Sequence, residues 1–206
     1  MTWYQWIALI CLAVSLVSLL VHFIRLTRLG KPKDYSLPRG EISTAVRYAF
    51  SGAMNPLKKE SAYLHLPTYT AGIFYHVGTF LCIILFITNM LGITIPYWIS
   101  LVLGAFLVVA AFSGLGIFIK RLLKDELRHL SNPDDYISNL LVTIFQVLSG
   151  MVLFLDVMQP AYFIWASLLI LYIPVGKLRH LLYFFAARYH LGIFYGWRGV
   201  WPPDNI

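Results

Sequence analysis

Long apolar runs alternate with shorter polar segments along this chain, and the alternation predicts its elements. Five runs, each about long enough to cross a ~30 Å hydrocarbon layer as a helix, cover residues 3–24, 68–91, 97–119, 137–155 and 161–187. Within the first long connection, apolar residues recur among charged ones over 42–50 with helical spacing, which predicts an amphipathic helix on the membrane surface. We expect an all-α integral membrane protein, a single domain of five transmembrane helices with this interfacial helix and a tail over 188–206.

The positive charges give these runs an orientation. All sixteen Lys and Arg residues fall within 25–59, 120–128 and 177–198, which are alternate gaps between the runs and therefore lie on one side of the membrane. Under the positive-inside rule that side is the cytoplasm. The sequence thus predicts a multi-pass protein of the cytoplasmic (inner) membrane, with its amino terminus outside and its carboxyl terminus in the cytoplasm.

Composition narrows the class of protein further. Hydrophobic residues make up 59% of the 206 residues and charged residues only 12%, which excludes a separate water-soluble lobe. The net charge of +7 is explained by orientation and by contact with membrane lipid, so nucleic acid is not an expected partner. No Lys or Arg precedes Arg25, so the first run is expected to be a retained helix rather than a signal peptide.

Two histidines are candidates for the chemistry of this protein. His76 lies nine residues after Pro67, about 14 Å into the second run at a rise of ~1.5 Å per residue. His180 lies near the inner end of the fifth run, which crosses in the opposite direction, so the two imidazoles are expected at similar depth. Such a pair suits the two axial positions of a low-spin haem iron. The alternative is that both are core histidines bonded to backbone carbonyls.

Small and basic residues flank both histidines. A porphyrin needs a helix surface poor in side chains, and glycine provides one; the glycines nearby are Gly72, Gly78 and Gly176. Two cations at the inner edge could bind haem propionates through charge-assisted hydrogen bonds, and these are Lys177 and Arg179. Small residues are also common where membrane helices pack, which leaves a purely structural interpretation open.

The remaining histidines support several readings. His65 and His190 are also matched in predicted depth, near the inner membrane surface. They are candidates for a second haem, for a quinone site in which histidine exchanges the proton, or for ordinary interfacial positions. His22 is interfacial or lines a quinone pocket, and His129 lies in a charged loop where water would solvate it.

Two short motifs carry a resemblance to a known family. Residues 73–78, IFYHVG, resemble the start of the second helix of the gamma (cytochrome b) subunit of respiratory nitrate reductase. Residues 173–180, IPVGKLRH, resemble the end of the fifth helix of that family, where a proline, a basic residue and a haem-ligating histidine follow in this order. Residues 184–199 are more similar to the membrane subunits of heterodisulfide reductase-like complexes.

The resemblance implies one haem b held by His76 and His180. The nitrate reductase subunit holds a second haem with two further histidines, and those positions are occupied here by Phe86 and Tyr162, so that haem is not expected. The implied function is a membrane cytochrome b subunit that carries electrons between a membrane quinone and a cytoplasmic iron–sulfur subunit. That partner would be heterodisulfide reductase-like or nitrate reductase beta-like.

Two other functions remain open. The first is a haem-free membrane anchor or assembly subunit that docks a soluble partner through residues 25–59 and the tail. The second is a small transporter. It is the weaker alternative because substrate pathways usually contain buried carboxylates, and apart from Asp156 at the outer edge no acidic residue lies in any predicted span. In each case the chain alone is not expected to complete a catalytic cycle, and whether it counts as an enzyme depends on its partner.

Overall fold

The computed structural model describes residues 1–30, 34–55 and 64–203. These residues form helices and turns, and they contain no strand. Four helices are long and apolar enough to cross a membrane: α1 (Trp3–Arg28), α3 (Leu66–Met90), α4 (Tyr97–Leu123) and α6 (Pro133–Val152). They coincide with the first four predicted runs, so the prediction of an all-α protein with several apolar helices is confirmed. The direction in which the chain crosses the membrane stays a prediction.

Shorter helices complete the described chain. They are α2 (Ile42–Ala49), α5 (Asp125–His129), α7 (Gln159–Tyr172) and α8 (His180–Trp197), with 3-10 turns at Gly52–Met54, Asp156–Met158 and Lys177–Arg179. Helix α2 falls where the sequence predicts the amphipathic helix. Residues 31–33 and 56–63, which include part of the first basic stretch, lie outside the described residues, as does the end of the predicted tail at 204–206.

The fifth run is interrupted, contrary to the prediction of one helix over 161–187. Helix α7 ends at Tyr172, because Pro174 has no N–H to continue the helical hydrogen bonds. The backbone N–H groups of Val175 and Gly176 both donate to the carbonyl of Tyr172 instead, at 3.1 and 2.8 Å. The five-span count therefore holds only if α7 and α8 together make one broken span. Helix α8 continues to Trp197, so the first part of the predicted tail is helical.

The chain divides into two compact units. Unit 1 comprises Met1–Ser18 and Leu66–Leu178, and its centre is an apolar core between α3, α4, α6 and α7. The largest side chains that are almost completely buried there are Tyr162, Phe163, Leu85, Leu107, Gln146 and Cys82. The start of α1 joins this core, since Tyr4 stacks on Phe163 and its hydroxyl donates to Gln159 at 3.1 Å.

One end of unit 1 is held by an ionic cluster. Asp135, only 6% exposed, is bound by Arg121 of α4 at 3.2 Å and by the ammonium of Lys177, which follows α7. Asp135 also forms a capping box with Asn132, in which each side chain accepts from the backbone N–H of the other residue at 3.0 Å. A single carboxylate therefore joins the start of α6 to the end of α4 and to the turn after α7.

Unit 2 comprises Leu19–His65 and Arg179–Ile206, and its main contact is between α2 and α8. The two helices approach closely because α8 presents two glycines four residues apart. A Cβ atom on Gly192 would lie 2.6 Å from Cα of Val46, and one on Gly196 would lie 2.6 Å from Cβ of Ala45. Their backbones therefore touch, and Ala45 is completely buried in the contact.

The segment after α8 closes unit 2. The indole N–H of Trp197 donates to the carbonyl of Ser36 at 2.8 Å, and Arg198 forms an ion pair with Asp34 at 2.7 Å. Arg198 also lies over the ring of Phe194, 3.7 Å from its centroid. Hydrogen bonds from the hydroxyl and the backbone N–H of Ser36, together with Arg198, lower the pKa of Asp34. The interaction therefore stabilises the fold above the ordinary pKa of an aspartate and is lost as the pH falls through the lowered value.

The glycine contact leads to a first prediction. Gly196→Leu should destabilise unit 2 by about 1–3 kcal/mol, because the added side chain must displace Ala45 or the backbone of α2. Faster hydrogen exchange over 42–49 and a lower thermal midpoint would report the loss. Ala187→Leu, on an exposed position of the same helix, is the matched control and should leave both unchanged. Equal effects of the two substitutions would contradict this account of the α2–α8 contact.

Candidate functional site

His76 lies on the exposed surface of α3, in the interior of a helix of 25 residues. Its Nδ1 atom is 2.7 Å from the carbonyl oxygen of Gly72, one turn earlier. A carbonyl can only accept, so this bond assigns the ring proton to Nδ1 and leaves the lone pair on Nε2. No hydrogen-bond partner for Nε2 is found within the described part of the chain. His76 is therefore oriented by its own helix, with its metal-binding nitrogen available.

The helix surface beside His76 is open. A Cβ atom built on Gly72 would have no heavy atom within 4 Å. Because Gly72 and His76 are four residues apart, they share one face of α3. This face has space beside the imidazole, and one ring nitrogen of His76 is held by a carbonyl, as is usual for histidines that bind a metal through the other nitrogen. The haem-binding role of Gly72 and His76 stays a prediction.

Gly78 lies in a different environment. It is buried, and a Cβ atom there would collide with the methyl group of Ala110 and come within 3.3 Å of Nε2 of Gln146. Two residues along a helix turn the chain by about 200°, so Gly78 does not share the surface of His76. Gly78 allows α3, α4 and α6 to approach closely, which is the structural interpretation that the sequence left open.

Gln146 links α6 to α3 at the same level. It is completely buried, and its amide nitrogen donates to the carbonyl of Tyr75 at 2.8 Å and to the hydroxyl of Thr79 at 3.0 Å. Gln146 therefore forms hydrogen bonds to a neighbouring helix. The hydroxyl of Tyr75 in turn donates to the carbonyl of Asn139 at 3.0 Å. These bonds fix the rotation of α3 and therefore the direction in which His76 projects.

His180 is the first residue of α8 and is exposed. It belongs to unit 2, whereas His76 belongs to unit 1. Since the fifth run is interrupted before it, the rise of one continuous helix no longer fixes the depth of His180. The same correction applies to Gly176, which precedes the helix and is buried against the ring of Tyr172. Gly176 and His180 are therefore not one turn apart on a single helix.

The two cations expected to meet haem propionates differ in their surroundings. Lys177 binds the carboxylate of Asp135, so an added anion would compete for its ammonium. Arg179 is exposed at the start of unit 2. Sequence reasoning missed the ionic cluster at Asp135. The sequence does place Asp135 at the same predicted end of the bundle as Arg121 and Lys177, and this shared position could have indicated an ionic cluster.

The other histidines occupy three kinds of position. His65 and His190 are exposed, the first just before α3 and the second within α8. His22 of α1 is half-buried, and its Nδ1 atom is buried without a hydrogen-bond partner among the described residues. His129 ends α5 and is exposed. A second haem or a quinone site at His65, His190 or His22 stays a prediction, and the described residues contain no group of three or more His, Cys, Asp or Glu arranged around a metal position.

Phe86 and Tyr162 lie together in the core of unit 1. Their ring centroids are 6.5 Å apart, and Tyr162 also stacks on Phe145 at 5.6 Å. Phe86 of α3 further contacts Phe163 of α7, so these two helices are neighbours at this level. Aromatic packing therefore occupies the positions at which the resembled family has its additional ligands.

Comparisons with protein-family models, with curated proteins and with solved structures found no match to this chain. Its function therefore has to be inferred from its own residues.

Proposed function

We propose that this chain is the membrane cytochrome b subunit of an oxidoreductase complex. His76 and, by the resemblance of residues 173–180, His180 would hold one haem b, and the chain would carry electrons between a membrane quinone and a cytoplasmic iron–sulfur subunit. The observation that carries the proposal is the orientation of His76: its Nδ1–H is held by the carbonyl of Gly72, and its Nε2 faces an open helix surface. In an apolar layer such a lone pair has no water to bind, which favours a ligand role.

The roles of the residues follow from this orientation. His76 supplies a neutral imidazole whose ring is held by the bond to Gly72, so little side-chain entropy is lost when Nε2 binds a metal. Gly72 leaves space for the edge of a planar group. His180 supplies the second imidazole in the proposal, and Arg179 supplies a cation for a carboxylate of the same group. Bound haem would supply one-electron transfer.

One further consideration supports the choice of His180. The motif at 173–180 resembles the haem-ligating end of the fifth helix in nitrate reductase gamma subunits. The identity of the iron–sulfur partner, the cytoplasmic side and the inner membrane belong to the same proposal.

A second candidate function is a haem-free anchor that docks a soluble partner. The observation that favours it is the exposed aromatic surface of α8 in unit 2, since exposed apolar patches mark interaction sites. The exposed aromatic residues of α8 are Tyr183, Phe184, Phe185, Tyr189 and Phe194, and of these Tyr183, Phe184 and Phe194 lie towards one side of the helix. In this function the histidines would be structural, and a partner would bind equally well with or without haem.

Purification of the full chain separates the two candidates. The proposal predicts one haem per chain and a reduced-minus-oxidised spectrum of b type. A folded, helical protein without haem, expressed with haem supplied in excess, would contradict the proposal and leave the anchor function. Proteins that co-purify with the chain would then be compared for iron–sulfur content, which the proposal requires of the partner.

The open surface at Gly72 gives a sharper prediction. Gly72→Leu should lower the haem content at least about 10-fold, because the new side chain fills the surface beside His76. It should not destabilise the bundle, because leucine favours a helix over glycine and meets no neighbour. Gly116→Leu is the matched control, since Gly116 also has open space in a helix interior. Equal haem content in the two variants would show that the surface at Gly72 is not used.

A further inference from the structure

A groove runs between α3 and α4 at the end of unit 1 that carries the ionic cluster. Its volume is about 490 Å³. The residues that matter for its chemistry are Thr68 and Ala71 of α3 and Val109, Phe112, Gly116 and Lys120 of α4. Val109 and Phe112 are exposed, and a Cβ atom on Gly116 would have no heavy atom within 4 Å. The groove is therefore open to the surroundings of the bundle, apolar along most of its length and polar at one end.

The polar end of the groove carries a positive charge that has no acidic partner among the residues that the structure describes. The ammonium of Lys120 donates to the hydroxyl of Thr68, and within the described residues it contacts no carboxylate. Its neighbours differ: Arg121 is paired with Asp135, and Arg128 is paired with Asp125 at 2.8 Å. Lys124 also has no carboxylate partner in the described residues, but it is exposed, whereas Lys120 is half-buried.

Three features at this end favour an anion. Lys120 contributes a full positive charge, and the hydroxyl of Thr68, which accepts from Lys120, can still donate its own proton to an anion. Helix α3 begins at Leu66, so the positive end of its dipole lies at the same level as Thr68. The apolar length below, past Phe112 and Gly116, suits a hydrocarbon chain. A molecule with an anionic head and an acyl chain satisfies both parts of the groove.

We propose that this groove binds one anionic phospholipid, with the phosphate on Lys120 and Thr68 and an acyl chain along Val109, Phe112 and Gly116. The proposal does not involve His76 or its bond to Gly72, so it is tested separately from the haem proposal.

Lipid titration of the purified full chain tests the charge. Binding of phosphatidylglycerol and of phosphatidylcholine is measured by native mass spectrometry and by the rise in thermal midpoint. We expect phosphatidylglycerol to bind more tightly than phosphatidylcholine. Lys120→Gln should weaken the binding of phosphatidylglycerol about fivefold, which is the contribution of one basic residue near an anionic surface. Lys124→Gln is the matched control and should retain the preference. Equal binding of the two lipids, or equal losses in the two variants, would overturn the proposal, since diffuse surface charge would then explain the binding.

Two further arms test the groove and the source of the phosphate. Gly116→Leu should reduce retention of phosphatidylglycerol, whereas Ala105→Leu, on an exposed position of the same helix outside this groove, should not. Unchanged retention in Gly116→Leu would overturn the assignment of the acyl chain. Inorganic phosphate alone should not raise the thermal midpoint. If it raises the midpoint as much as the lipid does, the ligand is free phosphate and the assignment of a phospholipid is overturned. If Gly116→Leu does not fold, the comparison of Lys120→Gln with Lys124→Gln still tests whether the groove binds an anionic lipid.

Discussion

His76→Ala is expected to remove haem from the protein while the helix bundle stays folded. The imidazole is exposed, and its hydrogen bond is to the carbonyl of Gly72 in its own helix, so truncation breaks no contact between helices. Haem affinity should fall at least about 100-fold, more than the loss known for residues that only support a ligand. Haem content and the b-type spectrum of the purified variant measure the effect, and the thermal midpoint of the haem-free form measures the fold.

The control for His76 is a histidine with similar exposure and no proposed role. His129→Ala at the end of α5 should keep both the haem and the spectrum. The proposal is contradicted if His76→Ala retains a normal spectrum. It is also contradicted if wild type and both variants lose haem to the same extent during purification, because His76 would then make no difference to binding.

Asp135→Ala should produce the largest loss of stability in unit 1, about 3 kcal/mol. The substitution leaves Arg121 and Lys177 close together without their shared carboxylate, and loss of one partner of a buried ion pair costs about 3–5 kcal/mol. Lys177 is about half exposed, so solvent reduces its part of the loss. Removal of the capping box with Asn132 adds about 1 kcal/mol. The thermal midpoint in detergent measures the change.

Asp134 is the matched control for this substitution. It precedes Asp135 in the same helical turn, and its side chain forms no hydrogen bond or ion pair with the described residues. Asp134→Ala should therefore change the midpoint little. The thermal midpoint of Asp135→Asn should lie between those of Asp135→Ala and Asp134→Ala, because asparagine can still accept the hydrogen bond of the cap but lacks the charge. A midpoint for Asp135→Ala equal to that for Asp134→Ala would contradict the role of the ionic cluster.

The helices were largely predictable from the sequence, because backbone hydrogen bonds in an apolar layer must be made within a helix. That constraint predicts α1, α3, α4 and α6 from hydrophobicity alone, and the charge pattern over 42–50 predicts α2. The interruption after Tyr172 was not predicted, although Pro174 was visible. A proline can either kink a membrane helix or end it, and the choice depends on local contacts such as the Tyr172 ring against Gly176.

The candidate site was predictable only in part. The spacing of Gly72 and His76 indicates a shared helix face, and the structure agrees. Spacing could not reveal that Gly78 faces Ala110 and Gln146, since that depends on how α3 is rotated against α4 and α6. The prediction that His76 and His180 lie at matched depth requires an unbroken fifth helix. Because the helix is interrupted at Pro174, that prediction loses its basis. The hydrogen bond between Nδ1 of His76 and the carbonyl of Gly72, on which the proposed function rests, depends on the side-chain rotamer of His76. The sequence does not specify that rotamer directly.

Electron paramagnetic resonance of the oxidised, purified chain tests the central claim most directly. Two imidazole ligands on one iron give a low-spin ferric signal. The account predicts this signal in the wild-type protein at one spin per chain, and its loss or conversion to a high-spin signal in His180→Ala as well as in His76→Ala. An unchanged low-spin signal in His180→Ala, or a folded wild-type protein with no haem signal, would contradict it.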